Sequence, residues 1–172
     1  RFWNSTDFGL NDPQFGNDAG FYVFTLPMLH TLQGWLMGLS IVALITTMGV
    51  YLLIYSARSI NPHFTPESRT QLAVIGAFMM LTVAAGHFLD TYETLFSTAG
   101  AVTGSTYADV TARIPALYLM TAIGALSAAI MLYTIRAENL RQSIRMIVAA
   151  FGLWVVAGLL VGVAWPLLVQ RL

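Results

Sequence analysis

Cysteine and lysine are both absent from this chain of 172 residues. Without thiols the chain can form no disulfide, no thiolate nucleophile, no iron–sulfur cluster and no cysteine-built zinc site. Without lysine, and with eight arginines set against eight acidic residues, it has no basic face to neutralise phosphates, so nucleic acid is not an expected partner. Charge of either sign is scarce: charged residues make up 9% of the chain and hydrophobic residues 57%. With a mean hydropathy of +0.71, this composition lies outside that of soluble domains and matches a polytopic membrane segment.

The little charge present is segregated. Residues 26–57, 72–89, 114–135 and 147–169 contain no Asp, Glu, Lys or Arg, and each run is about long enough to cross a hydrocarbon core of roughly 30 Å as a helix. The expected fold class is all-α, a multi-pass protein with four transmembrane helices at about 26–57, 67–93, 114–136 and 145–169. Residues 1–172 then form a single transmembrane domain in which 1–25 and 94–113 are outer loops. Arg58 and Arg69 flank the first connection and Arg136, Arg141 and Arg145 the third, against Arg1, Arg113 and Arg171 elsewhere. By the positive-inside rule both termini are extracytoplasmic. The chain opens at Arg1 without an initiator Met or signal peptide and stops where the last helix would leave the bilayer, which predicts a piece of a longer chain.

Local signals place the helix ends. Thr25 and Pro27 suit a helix start near Leu26, as do Thr65, Pro66 and Glu67 for the second helix and Pro115 for the third. Residues 97–111 are rich in Gly, Ser, Thr and Ala and read as a loop turning at Gly100 and Gly104, and Pro166 should disturb the fourth helix. Small residues spaced four apart, Gly34 with Gly38, Gly124 with Ala128 and Gly158 with Gly162, predict close helix packing. Trp35, Trp154 and Trp165 and most of the tyrosines read as an interfacial belt, with Trp154 lying deeper.

Candidate chemistry is sparse. His87 and Asp90, three apart near the end of the second helix, share a face; mutual hydrogen bonding is the ordinary reading and a proton-linked or metal role the sharper one. His30 reads as interfacial, with ligation of a pigment or haem as its alternative. Asp90, Glu93, Asp109 and Arg113 gather on the outer side, either as a loop anchored by an Arg–carboxylate pair or as an acidic vestibule. Asp12 and Asp18 recur within an echo of Phe, Gly, Asn and Asp that reads as two turns, or as a weak cation site. No nucleophile–base pair, phosphate-binding Gly loop or His/Glu zinc motif is visible, so no metal ligand and no catalytic residue is assigned, an enzyme is not expected, and no cofactor is expected to be bound by this chain alone.

The segments FGLNDPQFG (8–16), FYVFTLP (21–27), LDTYE (89–93), VTGSTYADV (102–110), ARIPA (112–116) and PLLVQR (166–171) resemble a family of large bacterial membrane proteins, the unknown protein family numbered one-eight-two. The resemblance implies further helices before this stretch, a large extracytoplasmic domain after it, and no activity that can be transferred. Its motif residues here are Asp12, Pro13, Asp90, Tyr92, Glu93, Thr103, Gly104, Tyr107, Asp109 and Arg113, all on the expected outer side; His30 and His87 are not among them. Three functions are open. The first is a non-enzymatic membrane scaffold presenting outer loops or a domain in the bacterial plasma membrane, with lipid and other membrane helices or subunits as partners. The second is an accessory subunit of a respiratory or photosynthetic complex. The third is a transport module, disfavoured because no Pro breaks a helix near its centre.

Overall fold

A computed structural model describes residues 7–59, 65–96, 104–105, 107, 109–136 and 140–160. Gly100, Thr103, Gly162, Trp165, Pro166 and the terminal arginines Arg1 and Arg171 therefore lie outside the described residues. Four α-helices carry the fold: α1 (Leu26–Ala57), α2 (Pro66–Glu93), α3 (Ile114–Tyr133) and α4 (Leu140–Leu159). With their flanking turns all four are long and apolar enough to cross a membrane. The first span, Phe21–Ala57, has 37 residues and at about 1.5 Å per residue is roughly 55 Å long, so in a bilayer it must tilt or project.

The starts of α1 and α3 differ from expectation in the same way. Thr25 has helical backbone angles and its side chain makes no capping bond. A π-helical turn, Phe21–Thr25, runs directly into α1, with the Leu26 amide donating to the Phe21 carbonyl. A second π-turn, Asp109–Arg113, runs into α3. In each case a proline follows two residues later, Pro27 and Pro115. A proline ring displaces the carbonyl four residues back and removes an amide, and a widened turn accommodates both while the helix continues outward. Residues 21–25 and 109–113, expected in outer loops, thus belong to the helical spans. The α2 start agrees with its signals: Thr65 is extended and its side chain accepts from the Ser68 amide, with Pro66 in the first turn. The fourth helix includes Leu140, before the expected 145, because Leu140, Arg141, Gln142 and Arg145 are good helix formers.

The helices pack in chain order. α2 contacts α3 most extensively, then α1 with α2 and α3 with α4; among the described residues α1 makes no comparable contact with α3 or α4. Ala77, Met80, Ala128 and Met131 form one buried cluster with Ile147 against it. Tyr22, Leu26 and Leu89 form a second at the end where α1 begins and α2 finishes, joined by Phe21, Leu29, Tyr92 and Leu95.

Small residues do set the closest approach of α2 and α3. A Cβ on Gly124 would lie 3.0 Å from the Ala84 Cβ, and Ala128 is buried against Ala77. The same expectation fails for α1, where nothing lies within 4 Å of a Cβ built on Gly34 or Gly38. The seam of α1 is instead lined by Leu26, Ser40 and Thr47, which are buried, and by Gln33, whose amide donates to the Thr82 carbonyl at 3.0 Å. Gly86 makes room for it: a Cβ there would meet Gln33 Nε2 at 3.1 Å. A Cβ built on Gly158 would be in ordinary contact with the Met120 methyl, at 3.5 Å.

At the opposite end, Arg69 of α2 donates to Ser143 Oγ of α4 at 2.8 Å. This arginine, counted in sequence only as a topology signal, therefore also joins two helices. Ser127 of α3 reaches the Ala150 carbonyl of α4 at 3.3 Å, a polar contact of the kind that joins helices where lipid provides no hydrophobic drive.

Candidate functional site

The end of the bundle at which α1 begins gathers most of the residues singled out in sequence. Residues preceding the first helical turn form two turns at Gly9 and Gly16, both with positive φ (67° and 72°), a conformation that glycine adopts without Cβ strain. An isolated antiparallel bridge pairs Asn11 with Asp18. Asp12 accepts from the amides of Gln14 (2.8 Å), Phe15 (2.7 Å) and Asn17 (3.0 Å) and from the Tyr22 hydroxyl. Asp18 accepts from the amides of Phe8, Leu10 and Gly20. Both carboxylates accept from amides of their own loop, as the turn reading expects. Burial raises the Asp12 pKa, but the Tyr22 hydroxyl and the three amides outweigh it and hold the carboxyl below the ordinary aspartate value. The Phe8 and Gly20 amides do the same for Asp18.

This loop rests on an aromatic box. The Tyr92 ring of α2 lies 4.8 Å from Phe15, 5.2 Å from Phe21 and 5.6 Å from Phe88, centre to centre, and Tyr22 packs edge-on to Phe96 at 5.5 Å. Such tilted and edge-to-face pairs contribute roughly 0.5–1.5 kcal/mol each beyond burial. The motif segments at 8–16, 21–27 and 89–93 therefore meet physically, through Asp12, Phe15, Phe21, Tyr22 and Tyr92.

Beneath the box, one turn into α1, His30 Nε2 lies 3.1 Å from Glu93 Oε1 of α2. Asp90, one turn earlier on α2, completes a group with His30 and Glu93 in which one ligand atom from each residue lies within 4.8 Å of the others. His87 backs Asp90, its Nδ1 3.7 Å from Asp90 Oδ2. That separation is too long for a hydrogen bond, so the pairing expected of His87 and Asp90 is a loose electrostatic contact. A cavity of about 500 Å³ opens beside the group, lined by Tyr22, Leu26, Pro27, His30, Glu93 and Phe96. His30 was read in sequence as interfacial or as a pigment ligand; its neighbours are carboxylates. No spacing rule links residues 30 and 93, and only the antiparallel packing of α1 on α2 brings them together.

The other expected outer residues divide. Asp109 is buried and faces Arg113, Nη1 to Oδ1 3.7 Å, along the π-turn before α3. Tyr107 is 85% exposed. Asp90 and Glu93 therefore join His30 rather than Arg113, and no single acidic vestibule forms from the described residues. His87 also packs near Trp154 of α4, ring centres 6.2 Å apart. Gln33, a polar contact between α1 and α2 that sequence reasoning passed over, was detectable in principle as the one amide side chain within the first apolar run.

Comparison with known proteins places this geometry in context. The model of an uncharacterised protein family (UPF0182) matches residues 1–172. A UPF0182 protein of Corynebacterium glutamicum is 34% identical over 178 residues, covering 99% of this chain and 18% of the relative. One from Kineococcus radiotolerans is 37% identical over 175 residues, covering 99% and 17%, and one from a Synechococcus strain is 39% identical over 122 residues, covering 70% and 14%. The chain thus spans less than a fifth of the length of these curated relatives. No solved structure matches. With a family match from end to end, over the segments that meet in the aromatic box, the chain belongs to the uncharacterised protein family UPF0182.

Proposed function

We propose that this chain is a non-enzymatic, membrane-embedded scaffold of a bacterial plasma-membrane protein. The α1 N-terminal loop and the α2–α3 connection face the extracytoplasmic side, both termini lie there, and an external part of the longer protein is positioned on this face. The observation that carries the reading is the docking of residues 7–20 onto the ends of α1 and α2 by Asp12, Tyr22 and the aromatic box. A loop held by several hydrogen bonds to two carboxylates and by ring contacts presents a fixed surface, whereas an untethered loop would not. The arginine distribution supports the orientation. Lipid and other helices of the longer protein are the proposed partners, supported by the apolar surface that α1 leaves open: Trp35, Leu39, Val42 and Leu53 are all exposed. Nucleic acid has no place in it.

Orientation is the testable core. On a cysteine-free background, Ser105→Cys should react with an impermeant maleimide in intact cells, and Asn139→Cys only after permeabilisation. The reverse pattern sinks the proposed orientation.

A further inference from the structure

We infer that His30, Asp90 and Glu93 form a binding site for a divalent first-row transition metal ion that clamps the start of α1 to the end of α2. The inference does not depend on the scaffold reading or on membrane orientation. Ligand atoms around a common ion at about 2.0–2.2 Å are separated by roughly 3.0–3.5 Å. The 3.1 Å between His30 Nε2 and Glu93 Oε1 is already such a spacing, and all three residues offer an atom within 4.8 Å of the others. The remaining separation would have to close by rotation about the side-chain bonds of Asp90 or Glu93.

A second observation separates this group from an ordinary surface ion pair. His30 Nε2 is buried and makes no aligned hydrogen bond, although a carboxylate oxygen is near it. Buried ring nitrogens are normally satisfied by an aligned partner. A lone pair on Nε2 directed at a metal between the imidazole and the carboxylates satisfies the nitrogen and neutralises both acids at once. His87 stands behind Asp90, its Nδ1 3.7 Å from Asp90 Oδ2 and outside hydrogen-bond distance. Glu93 is exposed and borders the 500 Å³ cavity with His30, so positions left open on the ion would face that cavity.

One imidazole with two carboxylates selects the metal class. Nitrogen ligation favours Zn²⁺, Co²⁺, Mn²⁺ or Fe²⁺ over Mg²⁺ and Ca²⁺, which take oxygen donors.

The test uses the full-length protein containing this chain, purified in detergent, stripped with a chelator and titrated with Zn²⁺ in a calorimeter. Against wild type, His30→Gln, Asp90→Asn and Glu93→Gln should each weaken one binding event at least about tenfold, while Asp109→Asn leaves it unchanged. Co²⁺ should give visible ligand-field bands that vanish in His30→Gln. Should a variant fail to fold, the wild-type Co²⁺ spectrum and its insensitivity to millimolar Mg²⁺ still decide. Wild type lacking those bands, losing them to Mg²⁺, or binding Zn²⁺ no better than the three folded variants would overturn the site.

Discussion

Asp12 shows how much one side chain can organise here. Its two oxygens accept from three amides and a phenol, so the ionised carboxylate holds the loop and supports it on Tyr22. The sign of the pH effect follows from the lowered pKa values of Asp12 and Asp18. A group whose pKa is depressed by folding stabilises the folded form above its unfolded value and loses that contribution as pH falls through the folded value. The loop should therefore stay docked through neutral and mildly acidic pH and release only below the ordinary aspartate range. At neutral pH, Asp12→Asn should mimic that release, because an amide offers a single acceptor oxygen and turns an NH₂ toward the loop amides. Losing a charged hydrogen bond costs about 1.5–3 kcal/mol, so proteolytic cleavage within residues 7–20 should accelerate about tenfold or more; an unchanged rate at pH 7 would show that the aromatic contacts alone retain the loop. The turn chemistry of Asp12 and Asp18 was legible from neighbouring Gly and Asn. The partnership of Asp12 with Tyr22 was not, since it depends on where the π-turn aims the phenol.

At the scale of elements, the apolar runs and the Thr65–Pro66–Glu67 start were readable because both rest on local chemistry: backbone groups in lipid must pair within the helix, and caps act over one turn. Helix faces were readable only in part. Gly124 and Gly34 sit in the same kind of small-residue pattern, yet of the two only Gly124 lacks room for a Cβ, which would lie 3.0 Å from the Ala84 Cβ. A small residue permits close approach without compelling it, and a polar partner decided the face of α1 when Gln33 found the Thr82 carbonyl. Gly124→Val should therefore destabilise the α2–α3 pair by about 1–3 kcal/mol, the range for overpacking, measured as a lowered midpoint in denaturing-detergent titration. Gly34→Val should leave that midpoint unmoved. Equal sensitivity at the two positions would contradict this difference between the two helix faces.

On the scale of the whole molecule, serial packing ties α1 to the bundle through one neighbour: its extensive contacts with other α-helices run to α2 alone among the described residues. Gln33 provides a hydrogen bond of a kind that contributes roughly 0.6–1.7 kcal/mol between membrane helices. In Gln33→Leu, the distance distribution between spin labels on exposed sites of α1 and α2 should broaden, while that between α2 and α3 keeps its width. Broadening of both would contradict the serial arrangement. What the sequence determined by itself was the all-helical class, the number of apolar spans and the membership suggested by its motif segments, because segregated charge and helix length act locally along the chain. Only tertiary structure decided which face of α1 packs, that Gln33 reaches the Thr82 carbonyl, and that His30 meets Asp90 and Glu93. Those relations join residues far apart in sequence, and in an apolar environment nearly every helix face is equally greasy, so the few polar contacts and small-residue steps that choose among faces act only once the helices lie side by side.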